Sequence, residues 1–303
     1  MLAIVVPYYK LTFFEATLLS LADQADKRFK VYIGDDASPQ NPRNLLERYE
    51  GKFDFLYHRF ESNLGGTSLV KHWERCIALT NNEEWIMILG DDDILDNSVI
   101  ASWYKNYVVF NQKSELIRFA TKWILEESKS VSEIFIHPVW ENATDSFYRK
   151  FQYLTRSSLS EYVFSRASYL KYGFFDYLLA WHSDDRAWLD FSDKKPIFTI
   201  NESVVFVRIS RLSISGKVDN DISKRASAIA FNKFIVSTRL DFYNKKQREI
   251  LMRRYENEIK KVGDISFSDW SFLFLLYLKY PDINSFRKFI KRFLNNILKR
   301  HEF

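Results

Sequence analysis

The chain has almost no cysteine, since Cys76 is the only one among its 303 residues. A single cysteine excludes a disulfide framework within the chain and fits a reducing compartment. Cys76 lies in a stretch of helical character, where a small buried apolar side chain is more common than a nucleophile. The sequence thus excludes the disulfide-rich secreted class and predicts a cytoplasmic protein.

Long apolar segments are absent too. The longest, residues 270–278, is far shorter than the roughly 20 residues that cross a bilayer. The first residues are apolar but follow no basic leader, so a folded strand is expected there and not a signal peptide. Hydrophobic residues make up 47% of the chain and charged residues 27%, which predicts a sizeable core and excludes a disordered chain.

The positive charge is confined to one end. The net charge of the chain is +5. From Lys279 onward there are seven Lys or Arg residues and two acidic residues, so the part of the chain before Lys279 is nearly neutral. This distribution argues against a broad nucleic-acid-binding surface. Apolar residues recur there at three- and four-residue spacing, with Arg287, Lys288, Lys291 and Arg292 between them, and predict an amphipathic basic helix. The apolar residues are Phe286, Phe289, Ile290, Phe293, Leu294, Ile297 and Leu298. Two interpretations stay open: the helix lies on an anionic membrane face, or its apolar stripe packs on the folded domain.

Strand and helix patterns alternate through the first hundred residues. This βαβα order predicts an α/β fold with a mostly parallel sheet and helices on both faces. Beyond residue 115 the pattern loosens, with strands expected at 117–121, 133–136, 160–164 and 197–200. A helical segment follows from about residue 221. The early strands are predicted at 2–6, 29–34, 53–58 and 85–89, and the helices at 14–22, 42–49 and 69–79.

Three consecutive aspartates, Asp91 to Asp93, follow the fourth predicted strand, with Gly90 between. Like charges packed this closely repel, and a cation would compensate them. The carboxyl end of a strand is also where open α/β sheets bind ligands. Oxygen ligands favour Mg²⁺ or Mn²⁺, and these ions favour phosphates. The alternative is a solvated, aspartate-rich turn.

A second acidic turn, Asp35–Asp36, follows the second predicted strand and would open on the same edge. One carboxylate could accept a hydrogen bond from a base or ribose while the other group holds a cation against a diphosphate. The sequence has no glycine-rich phosphate loop of the dinucleotide or Walker type, since residues 63–66 have the wrong spacing. A metal is therefore the expected means of neutralising a diphosphate.

Four motifs occur in order: VVPYY at residues 5–9, VYIGDDAS at 31–38, NLG at 63–65 and LGDDD at 89–93. In order and spacing they resemble the nucleotide-binding half of family 2 glycosyltransferases, inverting enzymes of the GT-A fold that serve bacterial polysaccharide synthesis. The resemblance implies a catalytic domain over residues 1–215, with a nucleotide-binding half to about 100 and an acceptor half from about 101. Residues 216–303 would form a helical, basic extension.

The resemblance implies a role for each matching residue. Pro7 and Tyr8 would line the nucleobase pocket, and Asp36 would hydrogen-bond the base. Asp91 would face the ribose, and Gly65 would lie in the donor-binding loop.

The same resemblance places a metal at the aspartate cluster. Asp92 stands where the family's D-x-D motif has its metal-binding aspartate, and Asp93 would support it. Gly90 occupies the place of the motif's first aspartate. The metal would therefore be held mainly by Asp92 and the diphosphate.

Residues 172–176 and 181–185 resemble the family's acceptor-side segment, in which an acidic pair ends in the catalytic base. Inverting transfer needs a base that takes the proton of the acceptor hydroxyl. Asp185 is the expected base, Asp184 the second choice and His182 a third. The structural alternative is a helix cap, with Ser183 or Asp184 accepting backbone N–H bonds.

Residues 207–216 resemble the late loop that closes over the diphosphate. Arg208 and the hydroxyls of Ser213 and Ser215 suit phosphate oxygens, although an ordinary polar strand end would look the same. Lys71, after the glycine loop, would either contact the donor or lie on a solvated helix face.

The resulting hypothesis is an inverting glycosyltransferase that depends on Mn²⁺ or Mg²⁺. It would move a sugar from a nucleotide-diphospho-sugar, a UDP-sugar by preference, to a saccharide or lipid-linked acceptor. A nucleotidyltransferase is the second hypothesis, but it would want a glycine-rich basic loop where residues 7–11 stand. The third is a non-catalytic nucleotide-sugar-binding relative, which the glycine at position 90 makes conceivable.

Overall fold

The computed structural model describes residues 1–211, 213, 221–263 and 265–300, with side chains up to residue 296. The chain forms two compact units, Met1–Asn220 and Asp221–Phe303. In their described parts, the first contains a ten-stranded sheet with helices, and the second is helical. None of the helices in the described ranges is long and apolar enough to cross a membrane.

The first unit alternates strands and helices as the sequence predicts. Its strands are β1 (Leu2–Tyr8), β2 (Phe29–Asp35), β3 (Phe55–Arg59), β4 (Trp85–Ile88), β5 (Ile94–Leu95), β6 (Leu116–Leu125), β7 (Ser130–Val131), β8 (Trp140–Glu141), β9 (Tyr162–Ser165) and β10 (Ile197–Ile209). Its helices are α1 (Phe14–Ala22), α2 (Arg43–Glu47), α3 (Leu69–Ile77), α4 (Val99–Phe110), α5 (Ala143–Phe151), α6 (Arg166–Tyr172) and α7 (Ser183–Phe191).

The strands run in the order β3-β2-β1-β4-β9-β6-β10-β5, with β7 beside β6 and β8 beside β10. The first four strands are parallel, as expected from their helical crossovers. β9 is antiparallel to both β4 and β6, while β6 and β10 are parallel. The α/β class with flanking helices is confirmed, and its parallel character is concentrated in the N-terminal half.

One predicted strand is wrong. Residues 133–136 have strand-like side chains, but only Phe135 pairs, in an isolated bridge with Thr121. β6 already pairs with β9 and β10 over much of its length, and β7 takes its outer end. Available partners therefore outweigh local propensity at this segment.

The central strands explain where the acidic turns lie. β1 and β4 are nearly all buried apolar residues, which is typical of parallel strands covered on both faces. Leu2 pairs with Phe29 on one side and with Trp85 on the other, so β2, β1 and β4 end at the same edge. Both acidic turns follow strands that end there, as predicted.

The second unit contains α8 (Asp221–Thr238), α9 (Lys245–Lys260), α10 (Phe267–Lys279) and α11 (Ile283–Arg300). The predicted apolar stripe of α11 packs on α10. The ring of Phe289 lies 4.6 Å from Tyr277 and 5.6 Å from Trp270. Ile297 and Leu298, the last members of the stripe, lie beyond the described side chains. The basic helix thus uses part of its apolar surface within its own unit.

Candidate active site

Asp91 fastens the end of β4 to the loop after β1. Its Oδ2 accepts hydrogen bonds from the backbone N–H groups of Tyr9 and Lys10, both at 2.8 Å. Burial raises the pKa of Asp91, and these bonds oppose the rise. The residue expected to face the ribose therefore has one oxygen committed to the backbone.

Both carboxylate oxygens of Asp93 accept hydrogen bonds. Oδ2 accepts from the hydroxyl of Ser160 at 2.5 Å, and Oδ1 accepts from the backbone N–H of Arg208 at 2.8 Å. Burial raises the pKa of Asp93 to about 6, against the effect of these bonds. Its backbone carbonyl accepts from the hydroxyl of Thr17. Asp93 thus supports the turn, in line with the supporting role expected of it.

Asp92 is different, because no residue in the described ranges hydrogen-bonds its carboxylate. Burial, and then the neighbouring charges of Asp93 and Asp91, raise the pKa of Asp92 to about 8. Its backbone carbonyl accepts a hydrogen bond from Nε of Arg208 at 2.9 Å. A carboxylate in this environment is stabilised by a cation.

The metal fit can be judged from the donors present. In the described part of the chain, no three or more His, Cys, Asp or Glu side chains form a ligand cluster. Asp92 offers a carboxylate that protein donors leave available, whereas Asp93 does not. Mg²⁺ is commonly held by one or two carboxylates together with substrate phosphates, so Asp92 fits such a site.

Gly90 is explained by close packing. A Cβ at this position would lie 2.9 Å from Oδ2 of Asp93 and 3.1 Å from Oδ1 of Asp92. The N–H of Gly90 also donates to Ser160 at 3.0 Å. An aspartate here would require both neighbouring carboxylates to move. The close packing of the turn therefore accounts for glycine in place of the first aspartate of the D-x-D motif.

Asp36 holds the glycine loop. Its two oxygens accept from the N–H groups of Leu64 at 2.8 Å and Gly65 at 2.9 Å, and Arg75 of α3 forms an ion pair with it. A Cβ at Gly65 would lie 2.6 Å from Asp36 Oδ2, so the loop needs glycine there. Sequence reasoning did not identify Arg75; its place one helical turn after Lys71 was the available signal. Lys71 itself is exposed.

Tyr8 and Pro7 precede the first loop at this edge. The Tyr8 side chain is fully buried against Phe14 at 4.6 Å, and its hydroxyl donates to the carbonyl of Gln40 at 2.6 Å. Burial raises the pKa of Tyr8 to about 12. A nucleobase contact by Tyr8 would therefore come from its backbone, while Pro7 is half-buried.

Arg208 lies directly beside the aspartates. Its guanidinium stacks 4.3 Å from the ring of Phe13 and forms an ion pair with Glu126. Ser213 turns its hydroxyl back to the carbonyl of Ser210 at 2.8 Å, as an ordinary polar strand end would. Ser215 lies outside the described residues.

The acidic pair Asp184–Asp185 opens α7. Asp185 is nearly buried, and its oxygens contact Lys150 Nζ at 2.5 Å and His182 Nδ1 at 2.7 Å. Burial opposes ionisation, but Lys150 and His182 outweigh it and hold the pKa of Asp185 well below its usual range. Burial and the adjacent Asp185 raise the pKa of Asp184 to about 6.

The residue that caps the N-terminus of α7 differs from the two that the sequence offered. The N-cap of α7 is His182, in the left-handed conformation with φ of 71° and no side-chain cap bond. The hydroxyl of Ser183 accepts from the N–H of Tyr177 at 3.3 Å. Neither Ser183 nor Asp184 is therefore the N-cap residue.

The donor-side and acceptor-side segments meet at α3. The hydroxyl of Ser68, the N-cap residue of α3, donates to Asp176 at 2.7 Å. The rings of Trp73 and Phe174 pack 5.6 Å apart. Segments more than a hundred residues apart thus contact each other within the first unit.

Residues 3–111 match the sequence model of glycosyl transferase family 2. This segment, about a third of the chain, is similar to family 2 glycosyltransferases, in agreement with the resemblance predicted from its motifs. Comparison with curated proteins gave no match.

Solved structures of S. aureus TarS share the fold. TarS 1–349 in complex with UDP-GlcNAc aligns with a TM-score of 0.58 at 14% identity, covering 97% of this chain and 91% of that one. The same segment in complex with UDP aligns at 0.56 and 13% identity, with the same coverage. A longer TarS structure aligns at 0.57 and 14% identity, covering 95% of this chain and 54% of its own. At this identity, the likeness establishes the GT-A fold and no more.

Proposed function

We propose that the protein is an inverting glycosyltransferase that moves a sugar from a nucleotide-diphospho-sugar to a hydroxyl of a saccharide or lipid-linked acceptor. The observation that carries the proposal is Asp92. It lies in the segment that matches family 2, at the edge where β1, β2 and β4 end, and its half-buried carboxylate accepts no hydrogen bond from the described residues. Such a group suits a cation-assisted leaving diphosphate.

The donor is proposed to be a UDP-sugar. The related TarS structures contain UDP-GlcNAc or UDP, which supports this choice. The loop held by Asp36 and the turn that ends in Asp91 would receive the nucleoside. Arg208, beside the aspartates, would supply positive charge near the phosphates.

A divalent ion, Mn²⁺ or Mg²⁺, would neutralise charge on the diphosphate leaving group when bound. Asp92 would be its principal protein ligand. Asp93 would act behind it, by keeping the turn fixed through Ser160 and Arg208. The proposed metal ligands are thus the Asp92 carboxylate and oxygens of the donor's diphosphate.

Transfer requires a proton acceptor on the other side of the sugar. Asp185 is proposed to take the acceptor hydroxyl's proton as that oxygen bonds to the anomeric carbon. The bond from this carbon to the diphosphate breaks, and the nucleoside diphosphate leaves with the electron pair. Asp184 is the alternative base, since it has the higher pKa of the two.

A donor screen tests the proposal. Nucleotide release from UDP-, GDP- and dTDP-sugars is measured with Mn²⁺ and after metal removal by chelation. Release is expected with a UDP-sugar and is expected to fall at least about tenfold without metal, since charge on the leaving group is then unopposed. Titration calorimetry of UDP with and without Mn²⁺ is the companion measurement.

Two results would contradict the proposal in different ways. Metal-independent UDP binding without any turnover would favour the non-catalytic relative. Exchange of pyrophosphate into the nucleotide-sugar would favour the nucleotidyltransferase. A GDP- or dTDP-sugar as sole substrate would change only the donor.

We further propose that the protein works at the inner face of the cytoplasmic membrane, in surface polysaccharide synthesis. The α10–α11 pair has an exposed apolar face. Ile283 is 72% exposed and Leu294 50%, both on the side of α11 that carries Arg287 and Lys291. On α10, Phe267, Leu275 and Leu278 are also exposed. Exposed apolar residues beside exposed cations suit an anionic lipid surface.

Vesicle sedimentation tests this membrane contact. Wild-type protein is expected to sediment with vesicles containing about 30% anionic lipid and to be released by salt, because each basic residue near such a surface contributes on the order of 1 kcal/mol. The double substitution Arg287→Glu, Lys291→Glu should abolish sedimentation. The double substitution Lys113→Glu, Lys246→Glu, at exposed positions outside α10 and α11, is the charge-matched control. Equal sedimentation of the double variant, or none of the wild type, would exclude the contact.

A further inference from the structure

We propose that Lys150, on α5, is a positioning residue that fixes the Asp185 carboxylate for proton transfer and keeps it as the anion. The inference rests on the proposed function, because it gives Asp185 a partner in that chemistry. Lys150 lies 35 residues before Asp185 and belongs to none of the motifs that carry the family resemblance.

Each oxygen of the Asp185 carboxylate contacts a different side chain. Nζ of Lys150 contacts Oδ1 of Asp185 at 2.5 Å, and Nδ1 of His182 contacts Oδ2 at 2.7 Å. One contact comes from α5 and the other from the residue before α7, so the carboxylate cannot rotate without losing one. Asp185 is only 5% exposed, which leaves water little chance to replace either partner.

Lys150 is the lysine whose charge acts on both Asp184 and Asp185. The titratable groups that act on the Lys150–Asp185 pair are His182 and Asp184, at the start of α7, and Tyr162 from β9. Two adjacent carboxylates thus share one lysine. Without it, Asp184 and Asp185 would repel each other in a largely buried place.

A small cavity lies beside this contact. It is lined in part by Lys150, Asp185, Ser157, Tyr162 and Trp188, and its volume is about 10 Å³. That volume is about the size of one water molecule. Loss of Lys150 would change the proton affinity of both carboxylates, because its ammonium group is the cation that lies beside them.

The sign of the effect follows from the charges. Lys150 favours the ionised forms of both Asp184 and Asp185, so its charge lowers the pKa of each. Removing that charge raises both pKa values. The acid-side limb of a rate profile that depends on an ionised member of the pair must then move to higher pH.

The test compares Lys150→Met, Lys150→Arg and Lys171→Met in nucleotide release and transfer over a range of pH. Lys150→Met is expected to move the acid-side limb of kcat upward by about one pH unit or more and to lower kcat at pH 7 about tenfold, with donor KM within about twofold. Lys150→Arg should restore most of both losses. Lys171 is the matched control, because its side chain is more than half exposed and pairs with Asp193 outside the proposed site.

A role in packing alone would lower the melting temperature of Lys150→Met and leave the acid-side limb in place, and that result overturns the proposal. Equal profiles for Lys150→Arg and Lys150→Met would overturn it too. If the wild type turns over no donor, the proposed function fails separately. Titration of the side-chain carboxylates by ¹³C NMR in wild type and Lys150→Met then decides the inference, and unchanged titration of Asp184 and Asp185 contradicts it.

Discussion

Replacing Asp92 by alanine is expected to abolish sugar transfer while the protein stays folded. Asp92 is the member of the aspartate turn whose carboxylate accepts no hydrogen bond from a described residue, whereas the carboxylates of Asp91 and Asp93 accept from backbone N–H groups and a hydroxyl. Its removal therefore breaks no such bond and relieves repulsion among three adjacent acids. Loss of one preorganised charge-stabilising group costs about 10²–10³-fold in rate. The loss should be at least that large, because the bound cation would go with it.

The measurement is nucleotide release from the preferred donor with Mn²⁺, beside a thermal unfolding curve. Asp54→Ala is the matched control, since Asp54 carries an exposed carboxylate paired with Lys30 at 3.3 Å. Its rate and melting temperature should stay close to those of the wild type. Wild-type turnover by Asp92→Ala would remove this residue from its proposed role. An unfolded variant would show that the carboxylate is structural.

Replacing Asp185 by asparagine should leave donor binding within about twofold and reduce transfer by about 10²–10⁴-fold, the usual contribution of a general base. Asparagine keeps the shape of the side chain and its place in the first turn of α7 but has no charge to accept a proton. Donor binding should persist because the edge proposed to bind the nucleotide is built from β1, β2 and β4 and not from α7. UDP calorimetry and transfer kinetics measure the two effects.

Asp184→Asn and Asp193→Asn complete this experiment. Asp193 is a partly exposed partner of Lys171 outside the proposed site, so its substitution should change neither binding nor transfer. If Asp184→Asn abolishes transfer and Asp185→Asn does not, the base is Asp184. Parallel loss of donor binding and transfer in Asp185→Asn would instead place the residue in the donor site.

The edge of the sheet could be predicted from sequence because it depends on local patterns. The buried runs of β1, β2 and β4 are apolar, and parallel strands joined by helices must end on one side. That reasoning placed Asp35–Asp36 and Asp91–Asp93 near each other, and the family match at residues 3–111 agrees. The same periodicity predicted α11 as a helix.

The use of each acid could not be predicted, because it depends on partners far away in sequence. Arg75 reaches Asp36 across 39 residues, Ser160 reaches Asp93 across 67, and the backbone of Arg208 reaches it across 115. No spacing rule gives these contacts. Nor does a strand buried on both faces show which side of the sheet a tyrosine occupies, so the core position of the Tyr8 ring was not foreseen.

The hydroxyl of Ser160 has a consequence for how the first unit could be divided. It accepts from the N–H of Gly90 and donates to Asp93, so the most acidic loop of the molecule is completed by a side chain 67 residues downstream. The segment that matches the family ends at residue 111. A fragment cut there would keep its aspartates and lose the two groups, Ser160 and Arg208, that orient one of them. The segment that is similar to the family thus depends on residues outside it for the geometry of its own aspartate turn.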